Sequence, residues 1–194
     1  QAKFIKEHLT AEVIDKAFDS FPEEVRDETV IEIKRVLLER IASIEEMADE
    51  YYRILNKYAV VIGTDKDDWF EIEYLNKNEV EVSVYRIIDG EKKKRFFHRK
   101  FEHNVTKEVW VYGLDDEDRF EVTGKYKSKI KVRLVGGQNN DIYDVGEGGS
   151  TFVYDYKSKK NGFKDVSKAK VRLTDNYAVN TYQPLKMRAS QNQL

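Results

Sequence analysis

Four cations written into two similar strands are the first residues that could act together. Lys131 and Arg133 in IKVRL, and Lys170 and Arg172 in AKVRL, alternate with apolar residues, so each pair lies on the polar side of its strand. If the two strands are neighbours, the four side chains form a patch able to meet phosphate or an anionic lipid. Otherwise they are solubilising charges of the kind that guard exposed sheet. Trp69 and Trp110, with Tyr85 and Tyr112, offer either an aromatic shelf for a sugar or core packing. The parts for bond-breaking chemistry are sparse. His98 and His103 fall on opposite faces of a strand, which disfavours a shared metal. No zinc-protease helix motif, nucleophile elbow, phosphate loop or dinucleotide fingerprint is present, and nothing in the order of the many carboxylates singles out a catalytic pair. The residues read as those of a non-enzyme, with an independent hydrolase as the weakest alternative.

The elements that must position these side chains centre on a pattern written twice, VWVYGLDDEDRFEV from Val109 and VRLVGGQNNDIYDV from Val132. In the first copy Gly113 opens a turn filled by Asp115, Asp116 and Asp118; in the second, Gly136 and Gly137 lead into Asn139, Asn140 and Asp141. Glycine supplies unusual backbone angles, and Asp or Asn can bond its own turn, so each copy predicts strand, sharp turn, strand. A shorter repeat, YKSK at Tyr126 and Tyr156 with KVRL at Lys131 and Lys170, adds a solenoidal character.

Upstream, Thr10 is a candidate N-cap for a helix carrying Val13, Ile14, Ala17, Phe18 and Phe21 on one face. From about Glu23 a stripe runs through Val30, Ile33, Leu37, Ile41, Ile44, Met47, Tyr51, Leu55 and Tyr58, with a capping-box pattern at Ser43 and Glu46 that predicts a break. The stripe is either an intramolecular face lying on the sheet or a surface for a partner helix. After Gly63 the period changes to two. Phe70, Ile72 and Tyr74, then Val80, Val82 and Val84, predict a hairpin, and Asp89-Gly90 a turn into a meander through Phe97 and Phe101; KKKR at Lys92 reads as a solvated hairpin tip.

These segments predict an α+β chain. Helices over 1–62 pack on a β-rich part over 63–182, an antiparallel meander passing into a short solenoid or sandwich, with 183–194 as a tail or linker. The chain has 194 residues, 36% of them charged, yet its net charge is −2, which gives no general pull toward nucleic acid or membrane. Cysteine is absent, excluding disulfides and thiol chemistry. No apolar run approaches the roughly 20 residues of a bilayer-spanning helix. The ends lack structural punctuation, as expected of a segment from a longer polypeptide.

GGQNNDIYD in the second copy resembles the glycine- and aspartate-rich repeats of RTX β-rolls, in which turn carbonyls and aspartates bind calcium between stacked coils. That resemblance implies Asp116, Asp118, Asn139 and Asp141 as calcium ligands. Hydrogen bonding within the turns is the alternative, favoured because Leu114 and other residues interrupt the glycine pattern and the copies do not recur at the RTX period. A second resemblance covers most of the chain from about Phe21. The phrases ADEYYRILNKYAVVIGTDKDDWFEIE, VWVYGLDDEDRFEVTG, IKVRLVGGQNNDIYDV and KAKVRLTDNYAVNTY resemble the middle segment of bacterial envelope proteins that join a calcineurin-like metallophosphoesterase domain to a surface-antigen-type outer-membrane β-barrel. The metal-binding phrases of that phosphoesterase are missing here, so no catalytic residue carries over. The resemblance implies an envelope location, adjacent domains of the same polypeptide as partners, and membrane contact only through a neighbouring barrel. The expected role is a spacing and docking module; a calcium- or glycan-dependent binding module is the alternative.

Overall fold

Period-two alternation from Tyr58 onward resolves into a stack of two-stranded coils. The structure, a computed structural model, describes residues 1–184. Most of the expected tail over 183–194 therefore lies outside the described residues. The chain is α+β, and it divides between Leu55 and Asn56. The first strand thus belongs with the β part and not, as the sequence suggested, with the helices.

In the helical unit, α1 (Ala2–His8) precedes the expected α2 (Ala11–Asp19), whose cap is Thr10 with Oγ1 accepting the Val13 amide. A 3-10 turn at Glu23–Val25 then leads to α3 (Glu28–Asn56). The predicted break at Ser43 does not occur. Its hydroxyl bonds back to the carbonyls of Glu39 and Arg40, a use of serine compatible with a continuing helix. Lys34 pairs with Asp15 and Lys6 with Glu45, and Ile14 and Ile41 are buried. Much of the α3 stripe is open, with Met47, Tyr51 and Leu55 all exposed.

The β unit makes its first coil from β1 (Tyr58–Ile62) and β2 (Asp68–Tyr74), then inserts the hairpin of β3 (Glu79–Ile88) and β4 (Glu91–Glu102). The second coil is β5 (Glu108–Leu114) and β6 (Arg119–Thr123), and the third β7 (Lys131–Gly137) and β8 (Ile142–Asp144). The fourth is β9 (Thr151–Asp155) and β10 (Gly162–Asp165), after which β11 (Ala169–Leu173) and the short α4 (Tyr177–Asn180) follow. One sheet is β1-β5-β7-β9-β11, parallel throughout; the other is β10-β8-β6-β2-β3-β4, antiparallel only across β2, β3 and β4. The expected meander is therefore confined to the hairpin, whose Asp89 and Gly90 take the positive φ angles that the turn requires.

Residues at equivalent places in successive coils stack in register. Val61, Val111, Leu134 and Val153 form one row on the first sheet. Facing it, Phe70, Phe120, Tyr143 and Phe163 stack at ring spacings of 4.7, 5.1 and 5.5 Å. This aromatic column ties successive coils together on the face opposite that apolar row. Phe120 is fully buried in the middle of it, so Phe120→Ala is expected to cost about 3–5 kcal/mol. Phe163→Ala, at the exposed end, should cost less than half as much; urea unfolding midpoints at unchanged m-value measure both. Both lateral limits of the stack carry lysine, on β4 at one and β11 at the other, as protection against edge pairing. Among the described residues no helix is long and apolar enough to cross a membrane.

Candidate functional site

The corners joining the two sheets hold the side chains of greatest chemical interest. Each first-sheet strand of the early coils runs into a glycine, and an aspartate stands five places later: Gly63 and Asp68, Gly113 and Asp118, Gly136 and Asp141. The aspartates turn inward and are 0%, 1% and 1% exposed, so their oxygens must find partners within the protein. Asp68 finds them in Thr64 and Arg86, whereas Asp118 and Asp141 find one each a coil away. The Asp68 amide donates to Asp118 Oδ1 at 2.8 Å, the Asp118 amide to Asp141 Oδ1 at 2.9 Å, and the Asp141 amide to Asn161 Oδ1 at 3.0 Å. A second row runs the opposite way, with the Glu117 amide donating to Asp67 and the Lys160 amide to Asn140.

Glycine is needed at these corners for space. A Cβ on Gly113 would stand 2.0 Å from Asp118 Oδ2, and one on Gly136 would stand 2.2 Å from Asp141 Oδ2. In the next residue the copies differ: Gly137 has φ 129° and its counterpart Leu114 has φ 92°, a leucine in a conformation that ordinarily selects glycine. The fourth coil changes both rules. Asp155 stands in the row where the others have glycine, and its Oδ2 accepts the Tyr143 hydroxyl at 2.7 Å; Asn161 replaces the inward aspartate.

A row of carboxyls this deeply buried cannot stay ionised along its length. Burial, reinforced by the neighbouring Asp141, pushes Asp118 up to about 10. Burial likewise raises Asp141 and Asp155, which share a site, and the proximity of Asp155 raises Asp141 further. Asp68 is raised less because Thr64 donates to it through both amide and hydroxyl and Arg86 Nη1 lies 3.0 Å from its Oδ1. One oxygen each of Asp118 and Asp141 has no hydrogen-bond partner among the described residues.

The four residues implied as calcium ligands do not converge. Asp118 and Asp141 lie in the buried row, whereas the Asp116 side chain is 42% exposed and faces Lys66 at 3.4 Å, and Asn139 Nδ2 donates to Asp115 at 3.1 Å. Among the described residues no three histidine, cysteine or acidic side chains are placed to hold a metal ion. The four cations are also divided. β9 separates β7 from β11, so Lys131 and Arg133 are not neighbours of Lys170 and Arg172. Arg133 bonds Glu108 at 2.7 Å and Tyr154, and lies 4.9 Å from the ring centres of both Trp110 and Phe152; Lys131 also meets Glu108. Both cations of that half thus share the one Glu108 carboxylate. Trp69 and Trp110 lie on different sheets, and cations cover each: Lys92 and Arg119 over Trp69, Arg133 over Trp110. His98 meets Ser83 and His103 meets Lys107, so the histidines share no site.

Gly63 and Asp68 were missed as the first copy of the corner because the hairpin separates them from the second by 50 positions. The signal was available in the repeated G-x-x-x-x-D spacing. Compared with family models, with curated proteins and with solved structures, the chain matches none.

Proposed function

We propose that this chain is a non-catalytic spacing and docking module of a larger envelope protein, holding a phosphoesterase-like domain apart from an outer-membrane barrel as in the proteins it resembles. The observation that supports this reading is the inward aspartate row. One oxygen each of Asp118 and Asp141 accepts an amide of the neighbouring coil, which stiffens the stack and keeps these carboxyls buried between coils. Five parallel strands at about 4.8 Å spacing extend roughly 19 Å from β1 to β11. A part of that kind sets a distance.

The test has two arms. The chain is expected to turn over neither nitrophenyl phosphate nor nitrophenyl glycosides, and fractionation of the source cells should place the native polypeptide with the envelope. Turnover abolished by Asp118→Asn, or a native product recovered wholly with cytosolic markers, would overturn the proposal. Melting in excess EDTA and in millimolar calcium separates the alternative. No difference in Tm is expected, whereas a site filled to a hundred times its Kd would add about 2.7 kcal/mol.

A further inference from the structure

Above the corner row lies a pocket of about 170 Å³ that the spacing role does not use. Asp65, Asp115 and Gln138 each follow their corner glycine by two places, so the coil repeat brings one polar side chain per coil to its rim. The segment after β11 closes the other side. Asn176 caps α4 by accepting the Ala178 amide, and Asn180 at the end of that helix donates Nδ2 to the Thr174 carbonyl. Asn180 is only 2% exposed and lines the pocket, yet its Oδ1 has no hydrogen-bond partner among the described residues. A buried carbonyl oxygen without a donor is destabilising, and a ligand N–H would satisfy it. Tyr112 and Tyr182 supply aromatic walls, their ring centres 5.1 Å apart and their planes inclined by 54°.

We propose that this pocket binds a small primary ammonium group. The lining contains two carboxylates and no lysine or arginine, so it selects for positive charge. The inclined tyrosines add ring faces that attract a cation. The orphan Asn180 oxygen asks for an N–H donor, which neither a quaternary ammonium nor a metal ion carries, and among the described residues no three histidine, cysteine or acidic side chains are placed to hold a metal. The volume admits one ammonium head on a short alkyl stem, from either a free amine or a lysine side chain.

The probes are butylammonium, N-acetyl-lysine amide, tetramethylammonium, glucose and calcium chloride, titrated against the whole chain by NMR at the Asn180 side-chain amide and the Tyr182 ring. Butylammonium is expected to shift both sets of signals saturably, and the Asp65→Asn, Asp115→Asn double variant to weaken it by about tenfold or more. That variant leaves Asn180 and its helix contacts untouched, so retained dispersion in its spectrum shows that weakened binding is not unfolding. Tighter binding of the lysine derivative than of butylammonium assigns the group to a peptide, and the reverse to a free amine. No saturable shift with either amine, equal affinity for tetramethylammonium, a response to glucose or calcium alone, or unchanged butylammonium affinity in the double variant overturns the proposal.

Discussion

Gly113→Ala is expected to destabilise the β unit by about 3–5 kcal/mol, although it adds a single methyl group. The added Cβ would stand 2.0 Å from Asp118 Oδ2 and 2.5 Å from the Gly136 carbonyl oxygen. Neither neighbour can yield cheaply. The carbonyl belongs to the backbone of the next coil, and the carboxyl is held by the Asp68 amide at 2.8 Å, so moving it strands a buried donor. At about 2–4 °C per kcal/mol for a chain of this size, Tm should fall by roughly 6–20 °C. Gly90→Ala is the contrast. That residue has φ +76° with nothing within 4 Å of a built Cβ, so only backbone strain of about 1–2 kcal/mol applies. A double-mutant cycle distinguishes the causes. Combined with Asp118→Ala, the cost of Gly113→Ala should shrink by at least about 1 kcal/mol, because one of its two obstructions is gone. Additive costs would mean that the carboxyl does not occupy the corner.

That corner was partly legible in the sequence. Gly113, Asp118, Gly136 and Asp141 stand out as a repeated turn, and aspartate in such a turn is a ready acceptor for backbone amides. The sequence did not reveal that the bonds run between coils. An aspartate bonding its own turn and one bonding the turn 23 positions away leave the same spacing in a single chain. Strand direction was hidden for a related reason. Parallel sheets usually lie buried on both faces and read as continuous apolar runs, whereas here each sheet packs one face on the other and leaves its second face wet. Phe70, Ile72 and Tyr74 therefore alternate with Glu71 and Glu73 as they would in an antiparallel meander, and only the β2–β3–β4 part fits that expectation. The KVRL repeat was a weaker guide. In the stack Lys170 aligns with Arg133 through Phe152, so the second copy is shifted by two places relative to the first; Val171 continues the row of Leu134 and Val153 and, on the last strand of the sheet, is 39% exposed. The G-x-x-x-x-D spacing, tied to a corner of fixed size, carried more structural information than the longer string of identical letters.

Acidification from pH 8 to pH 5 is expected to stabilise the protein, and Asp118→Asn is expected to remove much of that dependence. An ordinary aspartyl group titrates near 3.8, whereas burial holds Asp118 at about 10 in the fold. Between those values the folded chain keeps a proton that the unfolded chain has lost. The stabilising contribution of the neutral carboxyl is complete below the unfolded value and falls as pH rises toward the folded one, with a limiting slope of about 1.4 kcal/mol per pH unit. Asp141 and Asp155 act in the same direction. Glu79 and Glu108 act oppositely, since their partners Lys100 and Arg133 lower them, and that support disappears only as pH drops below the usual glutamate range. Stability should therefore pass through a maximum on the acid side of neutrality. Asparagine at 118 can still accept the Asp68 amide through Oδ1 while placing no ionisable group in the row, and Asn161 already occupies the corresponding place in the fourth coil. Urea unfolding across this range should give the variant a slope shallower by about 1 kcal/mol per pH unit, near parity with the native chain at pH 5, and greater stability than it at pH 8. Asp118→Ala should lose stability at both pH values, because it leaves the Asp68 amide without its acceptor. A variant asparagine chain with the native slope would mean that Asp118 is ionised in the fold, and the row would then have to be held together by charge that burial opposes.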